Sequence, residues 1–287
     1  MSFVSLDITV AAAITSILLC VYTYIKDRVE KEPIGLLAIL FAVGGALSVP
    51  TVYTETLAGG LFERLFASHY TIAPIGMPEF SSEGIRIAFY GCVSFISIAL
   101  IEVAVKWLVM FLLTHRSKHF NSLFDGLVYG VFVSLGFAMV DNIRFAWMNG
   151  WDYLLLRSLT TVPVHMFIGV FMGYYYTIWH KLTLAAKAEK NLAAEGRITV
   201  IKPFRSAPSL ILSFIVPVLI QGLYTFTEYT YTRYSELSLY IVLMALFVFA
   251  FARIYKTSSD DALDNKVVAG MLLKKYPEYK NPEVETK

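Results

Sequence analysis

The sequence predicts an all-α integral membrane protein, a bundle of about seven transmembrane helices with the N-terminus outside and the C-terminus cytoplasmic. Three observations carry that prediction. Of 287 residues, 57% are hydrophobic and only 16% charged, against about 25% charged in ordinary soluble domains, and the mean hydropathy is +0.61. Several runs of about twenty residues lack Asp, Glu, Lys and Arg, which is the length an internally hydrogen-bonded helix needs to cross about 30 Å of hydrocarbon. Most of the Lys and Arg residues fall on one side of those runs.

In chain order, residues 8–25 and 34–54 are uncharged and form the first two spans. The first follows Asp7, with no basic segment before it and no small-residue cleavage site after it, so it reads as a retained helix. Residues 59–83, with Pro74 and Pro78, form the longest external loop. Residues 84–114 are apolar around Arg86, Glu102 and Lys106, and residues 126–147 around Asp141 and Arg144. Residues 158–180 and 206–227 are uncharged, and 237–252 gains length from 232–234 to make the seventh span. Residues 1–255 form the transmembrane domain. Residues 256–287 form a polar, solvated tail in which 267–273 has the pattern of a short amphipathic helix.

With seven spans, 18 of the 24 basic residues share one side, which the positive-inside rule makes cytoplasmic. They include Lys26, Arg28 and Lys31 in the first loop, Arg116 and Lys118 in the third, six after span five and seven in the tail. The opposite side carries Trp147, Trp151, Tyr153, Tyr229, Tyr231 and Tyr234, rings suited to a headgroup layer. The chain is thus placed as a multi-pass protein of the plasma membrane, with the lipid bilayer as its surroundings. A net charge of +2 and scattered basic residues give no footprint for nucleic acid. Cys20 and Cys92 both lie in apolar stretches, too few and too isolated for a disulfide framework or a cysteine metal site. Ten-residue alternation is absent, which excludes a membrane β-barrel.

A charged side chain at the centre of a span costs about 2.5–3.5 kcal/mol on insertion scales, so such residues face the bundle interior or a functional cavity. Glu102 and Lys106, four apart, share a helical face and can pair. Asp141, His165 and Gln221 lie in three other spans, roughly 9–12 Å below the outer surface at about 1.5 Å per residue. Glu102 is deeper by count, but its span is about ten residues longer than one crossing requires, and projecting the surplus outward brings it level. Four spans then offer two carboxylates, an imidazole and an amide to one buried pocket.

A carboxylate beside an imidazole can polarise and deprotonate water. The same Glu, Asp and His suit a divalent ion such as zinc, which takes nitrogen and oxygen ligands. HExxH and GxSxG are absent, and His115 and His119, four apart in a loop, read as solvated surface. Gly126, Gly130 and Gly136 suit close helix contact. A proton-coupled carrier also places Glu, Asp and His in a membrane but usually has repeated halves, and no internal repeat is present.

These residues resemble the PrsW-type intramembrane proteases, distant relatives of the CAAX-processing membrane proteases. The likeness runs from the first span through the sixth. Asp27, Glu30, Lys31, Glu32 and Pro33 lead into span two, and Glu102 to Lys106 sits on the family's EExxK. Asp125, Gly126, Val128, Tyr129, Gly130, Gly136, Phe137, Asp141 and Asn142 follow DGxVYG and GFxxxEN in register. Pro163 and His165, then Gly169, Gly173, Tyr174 and Tyr175, match PxH and GYY, while Gln221, Gly222 and Tyr224 fall on HGxYD. Val103 stands for the second glutamate of EExxK, Asp141 for a glutamate, Gln221 for a histidine and Thr225 for an aspartate.

The resemblance implies an intramembrane endopeptidase that cleaves a single-span membrane protein near its extracytoplasmic face, as in anti-sigma-factor processing. It implies Glu102 as the base that activates water. His165 and Asp141 would orient that water, hold a metal or stabilise the oxyanion, and Lys106 would hold Glu102 in place. Glu102, Asp141 and His165 are the expected ligands if zinc is bound, with Asn142, Gln221 and Tyr224 in support. Because Gln cannot shuttle a proton and is a poor metal ligand, the substitutions at Val103 and Gln221 leave a second reading: a catalytically degenerate member that binds or scaffolds membrane proteins.

Overall fold

The computed structural model describes residues 3–72, 78–200, 202–230 and 233–277. Pro74, Lys280 and Lys287, and the side chains of Tyr153, Tyr231 and Tyr234, lie outside that description. The elements are α1 (Phe3–Lys26), α2 (Ile34–Leu65), β1 (Tyr70–Ile72), β2 (Pro78–Phe80), α3 (Glu83–Cys92), a π-helical segment Val93–Ala99, α4 (Leu100–Thr114), α5 (Asp125–Asn149), α6 (Trp151–Leu159), α7 (Thr161–Ala194), α8 (Ala207–Tyr229), α9 (Arg233–Ser259) and α10 (Asp264–Lys275). The two short strands pair antiparallel.

Local chemistry explains the boundaries. The Ser82 side chain accepts a hydrogen bond from the Ile85 amide and caps α3. Gly150, at φ 87°, separates α5 from α6 in a conformation that only glycine adopts easily. Pro163 stands in the first turn of α7, where its missing N–H breaks no helical bond. The π-helical segment lets α3 and α4 continue as one 32-residue apolar helix, and it puts the Phe95 ring against Gly222 of α8.

Among the described residues, six helices are long and apolar enough to cross a membrane: α1, α2, the α3–α4 unit, α5, the α6–α7 unit and α8. The seventh expected span falls in α9, whose 27 residues extend for about 40 Å. Burial separates centre from periphery. In the apolar windows of α5 and α7, 72% and 67% of residues are buried, against 28–39% in the other four, so α5 and α7 form the middle of the bundle and the rest present a face to lipid.

Glycines set the spacing at that middle. A Cβ on Gly130 would lie 2.3 Å from the Gly169 carbonyl oxygen, and one on Gly173 2.1 Å from that of Gly126. On the other side of α5, a Cβ on Gly136 would meet the Phe41 carbonyl of α2 at 2.0 Å. The helices therefore touch backbone to backbone, as small residues permit in membranes.

The basic loops meet at one end of the bundle. Asn121 Nδ2 donates to Glu30 Oε2 at 3.1 Å, Ser258 Oγ to the Lys26 carbonyl at 2.5 Å and the Asp264 amide to the Asn121 carbonyl at 2.8 Å. At the other end Trp147 Nε1 donates to Thr9 Oγ1 at 3.0 Å, and Tyr90 stacks on Tyr229 with centroids 5.7 Å apart.

Three boundaries differ from expectation. Helix α2 runs eleven residues past 54, carrying Glu55 inward toward the polar groups of α4 and α5, so the external loop is shorter than 59–83. Helix α7 continues to Ala194, well beyond residue 180. The tail is also not simply solvated: α10 extends past the anticipated 267–273 at both ends and docks on the α7 extension, where Lys275 and Tyr276 both bond Glu189 Oε1.

Candidate active site

Helix α4 presents Glu102 and Lys106 on its buried face, and α7 presents His165 opposite them. Lys106 is fully buried, Glu102 is 8% exposed and His165 2% exposed. Lys106 Nζ donates to Glu102 Oε2 at 2.6 Å and to His165 Nδ1 at 2.9 Å, and Glu102 Oε2 lies 3.9 Å from His165 Nδ1. The Phe137 ring of α5 closes the group, 4.2 Å from the Lys106 ammonium and 5.8 Å from the His165 ring. An ammonium can only donate, so Nδ1 accepts and the neutral imidazole carries its proton on Nε2.

Asp141 is engaged differently from what spacing suggested. Its Oδ1 accepts from Arg144 Nη2 at 2.7 Å and its Oδ2 from Arg157 Nη2 at 2.6 Å. Asp141 thus anchors two guanidinium groups and presents no carboxylate oxygen without a cation on it. Asn142 donates to Ser158 Oγ at 3.2 Å and to the Ala12 carbonyl at 3.4 Å, tying α5 to the start of the α6–α7 unit and to α1. The Tyr224 hydroxyl bonds Thr161 Oγ1 at 2.9 Å, next to the α6–α7 junction. Gln221 is 4% exposed, and its Oε1 has no hydrogen-bond partner among the described residues. Val103 faces the apolar core and is fully buried.

Sequence reasoning missed the partners of Asp141, since Arg157 is sixteen residues away across a turn. It also missed Glu55 of α2, one residue past the uncharged run that marked span two. Glu55 lies within electrostatic reach of Glu102, Asp141, Lys106 and Arg144, and its Oε1 is buried without a hydrogen-bond partner among the described residues. A charge at the edge of an apolar run, level with three others, was the available signal.

A multi-span membrane protein with a carboxylate, an ammonium and an imidazole buried together on facing helices keeps ionisable groups where lipid makes them costly, the mark of a functional site or a paired network. A family model for the PrsW family of intramembrane metalloproteases matches residues 32–252, and the chain belongs to that family of membrane peptidases. Protease PrsW of Oceanobacillus iheyensis is 27% identical over 264 residues, covering 92% of this chain and 100% of the relative. Protease PrsW of Bacillus subtilis is 28% identical, covering 71% and 75%, and that of Geobacillus kaustophilus is 32% identical, covering 54% and 59%. No solved structure matches the chain. The fold and the bacterial relatives make it a multi-pass protein of the cell membrane.

Proposed function

We propose that the chain hydrolyses a peptide bond of a single-span membrane protein near the extracytoplasmic face, an anti-sigma-factor-like protein being the kind of substrate the likeness suggests. The observation that carries this reading is the buried Glu102–Lys106–His165 group between α4 and α7, in which one ammonium bonds both acid and imidazole and leaves Glu102 Oε1 and His165 Nε2 for chemistry.

Lys106 fixes the roles. It holds Oε2 of Glu102, leaving Oε1 to take a proton from water as the water oxygen attacks the scissile carbonyl carbon. It accepts nothing from His165, so Nε2–H is the donor for the oxyanion that forms. When the tetrahedral carbon collapses, the C–N bond breaks and Glu102 returns its proton to the leaving amine. Asp141 acts as a positioning residue that holds Arg144 and Arg157 beside this group.

Zinc is the ion that the family description and the expected set of Glu102, Asp141 and His165 would imply. The donors present do not fit it. The Lys106 ammonium already stands between Glu102 and His165, both Asp141 oxygens rest on arginines, and no three His, Cys, Asp or Glu side chains among the described residues are grouped to hold a metal. Each step above therefore uses this chain's own groups.

One observation favours the second reading, a degenerate member that binds membrane proteins: Lys106 satisfies Glu102 and His165 at once, as a purely structural network would. Cleavage of a tagged panel of single-span proteins in cells separates the two readings. Cleavage by the wild type, lost in Glu102→Gln and His165→Ala at equal expression, supports the protease. Absence of cleavage by the wild type, with cleavage appearing in Val103→Glu/Gln221→His, supports the binding protein.

A further inference from the structure

A second buried polar group lies at the basic end of the bundle, far from the site above. Asp27 and Glu32, in the loop between α1 and α2, are 1% and 3% exposed. Asp27 Oδ2 accepts the Glu32 amide at 3.2 Å, while Asp27 Oδ1 and Glu32 Oε2 are buried with no hydrogen-bond partner among the described residues. Asp125, at the start of α5, accepts the amides of Asn121 and Ser122 at 2.8 and 2.6 Å and the Ser122 hydroxyl.

The tail lies over this group. Asp261 Oδ1 accepts the Phe124 amide at 3.0 Å, Leu263 bridges Ser122, and Asp264 pairs with Lys181 and with His180 of α7. Lys31 of the same loop and Asp261 of the α9–α10 link face Asp27, Asp125 of α5 faces both carboxyls, and Tyr129 of α5 faces Glu32. Lys181 and His180 face Asp125 from α7. Lys31 spends its ammonium on the Tyr24 and Asp27 carbonyl oxygens.

Four carboxyl groups thus lie together, Asp27 and Glu32 against Asp125 and Asp27 against Asp261, and Lys181, paired with Asp264, is the buried ammonium beside Asp125 and Asp261. Like charges so placed cannot all ionise without cost. Burial, reinforced by the neighbouring Asp125, pushes Glu32 up to about 8; burial pushes Asp27 up to about 6 against the opposing Glu32 amide bond.

We propose that this knot is a proton-controlled latch, in which Asp27 lies closed under residues 258–264 and Glu32 against Asp125, whose neighbours Asn121, Ser122 and Phe124 hold that segment, while both carboxyls keep their protons, and losing those protons releases the tail from α5 and α7. The closed state binds the protons more tightly than the open state, so opening takes up base. The ratio of open to closed molecules rises by up to about tenfold per pH unit for each proton released. Between about pH 6.5 and 8 one proton, that of Glu32, is at stake. His180 and Lys181, which burial holds down at about 4 and about 8 in the closed state, regain protons when the tail leaves, so His180 offsets the release below about 6.5 and Lys181 turns the ratio down again above about 8. Lys181 lies sixteen residues from His165 on the same helix, so the latch holds the far end of the helix that carries the imidazole. This inference does not depend on the protease reading.

The test uses the full chain in nanodiscs of phosphatidylcholine and phosphatidylglycerol, with Cys20→Ala and Cys92→Ala. Spin labels are placed on Lys118→Cys and Lys266→Cys, both exposed positions, and the distance distribution is read by double electron–electron resonance from pH 5.5 to 9. Asp264→Asn, which removes the pairing with Lys181, brings the opening into measurable range. The expected result is a longer distance that gains population from about pH 6.5 to 8 and then declines. Glu32→Gln should abolish this response, and Asp27→Asn should remove only the part below about pH 6. A distribution independent of pH in the Asp264→Asn protein would overturn the proposal, as would a Glu32→Gln protein that opens along the same curve.

Discussion

Replacing Lys106 with methionine keeps the volume of its stem and removes the ammonium that bonds Glu102 and His165. At 2.6 Å and an effective dielectric of about 20, the attraction to Glu102 is about 6 kcal/mol. Removing one partner of a buried pair strands the other, and the measured consequence of such a loss is about 3–5 kcal/mol. The contact with the Phe137 ring adds about 1 kcal/mol to what is lost. Lys106→Met is therefore expected to destabilise the protein by about 3–5 kcal/mol, measured by reversible unfolding in mixed micelles. Glu102→Gln/Lys106→Met should recover at least about 2 kcal/mol of that, because no carboxylate is then left stranded. A Lys106→Met protein within about 0.5 kcal/mol of the wild type, or a double variant no better than the single, would refute the idea that the ammonium holds the two helices' polar groups together.

Glu102→Gln should lower cleavage by about 10²–10⁴-fold, the usual worth of a general base, at unchanged protein level on an immunoblot. Asp141→Asn leaves Arg144 and Arg157 each short of a charged partner; we expect the rate of cleavage at saturating substrate to fall while Asp141→Glu restores it, as measured with a reconstituted peptide substrate. Gly130→Ala, whose Cβ has the Gly169 carbonyl oxygen at 2.3 Å, should destabilise by about 1–3 kcal/mol through overpacking, seen as a lower midpoint of thermal unfolding in detergent. Chelation by 1,10-phenanthroline should leave cleavage unchanged, because Lys106 occupies the place between acid and imidazole; loss of cleavage that zinc restores would refute that account.

What the sequence disclosed followed local rules. Uncharged runs mark the spans because lipid tolerates few charges, and the four-residue spacing of Glu102 and Lys106 places them on one helical face whatever the rest of the fold does. His165 could be set level with Asp141 because rise per residue is constant in a helix, and with Glu102 only by projecting the surplus of its long span outward. The capture of Asp141 by Arg157 was hidden, since it depends on the turn at Gly150 and the break before Thr161. The long α7 and the docked tail were hidden for a related reason. Residues after 180 are polar and read as a loop, yet Glu189 gains Lys275 and Tyr276 as partners only once the chain has folded back from the far end of α9.

The glycine contacts described for α2, α5 and α7 have a mechanical consequence. Carbonyls and α-carbons of these three helices already touch, so they have no slack in which to slide or part and behave as a spine. Helix α4 meets that spine through side chains, as α8 meets the π-helical segment through the Phe95 ring, and side chains can change rotamer where backbone cannot. His165 rides on the spine and Glu102 on the compliant helix. If Glu102 and His165 are the reactive pair proposed above, a shift of α4 against the spine would both open a way in for a polypeptide and set the distance between the two.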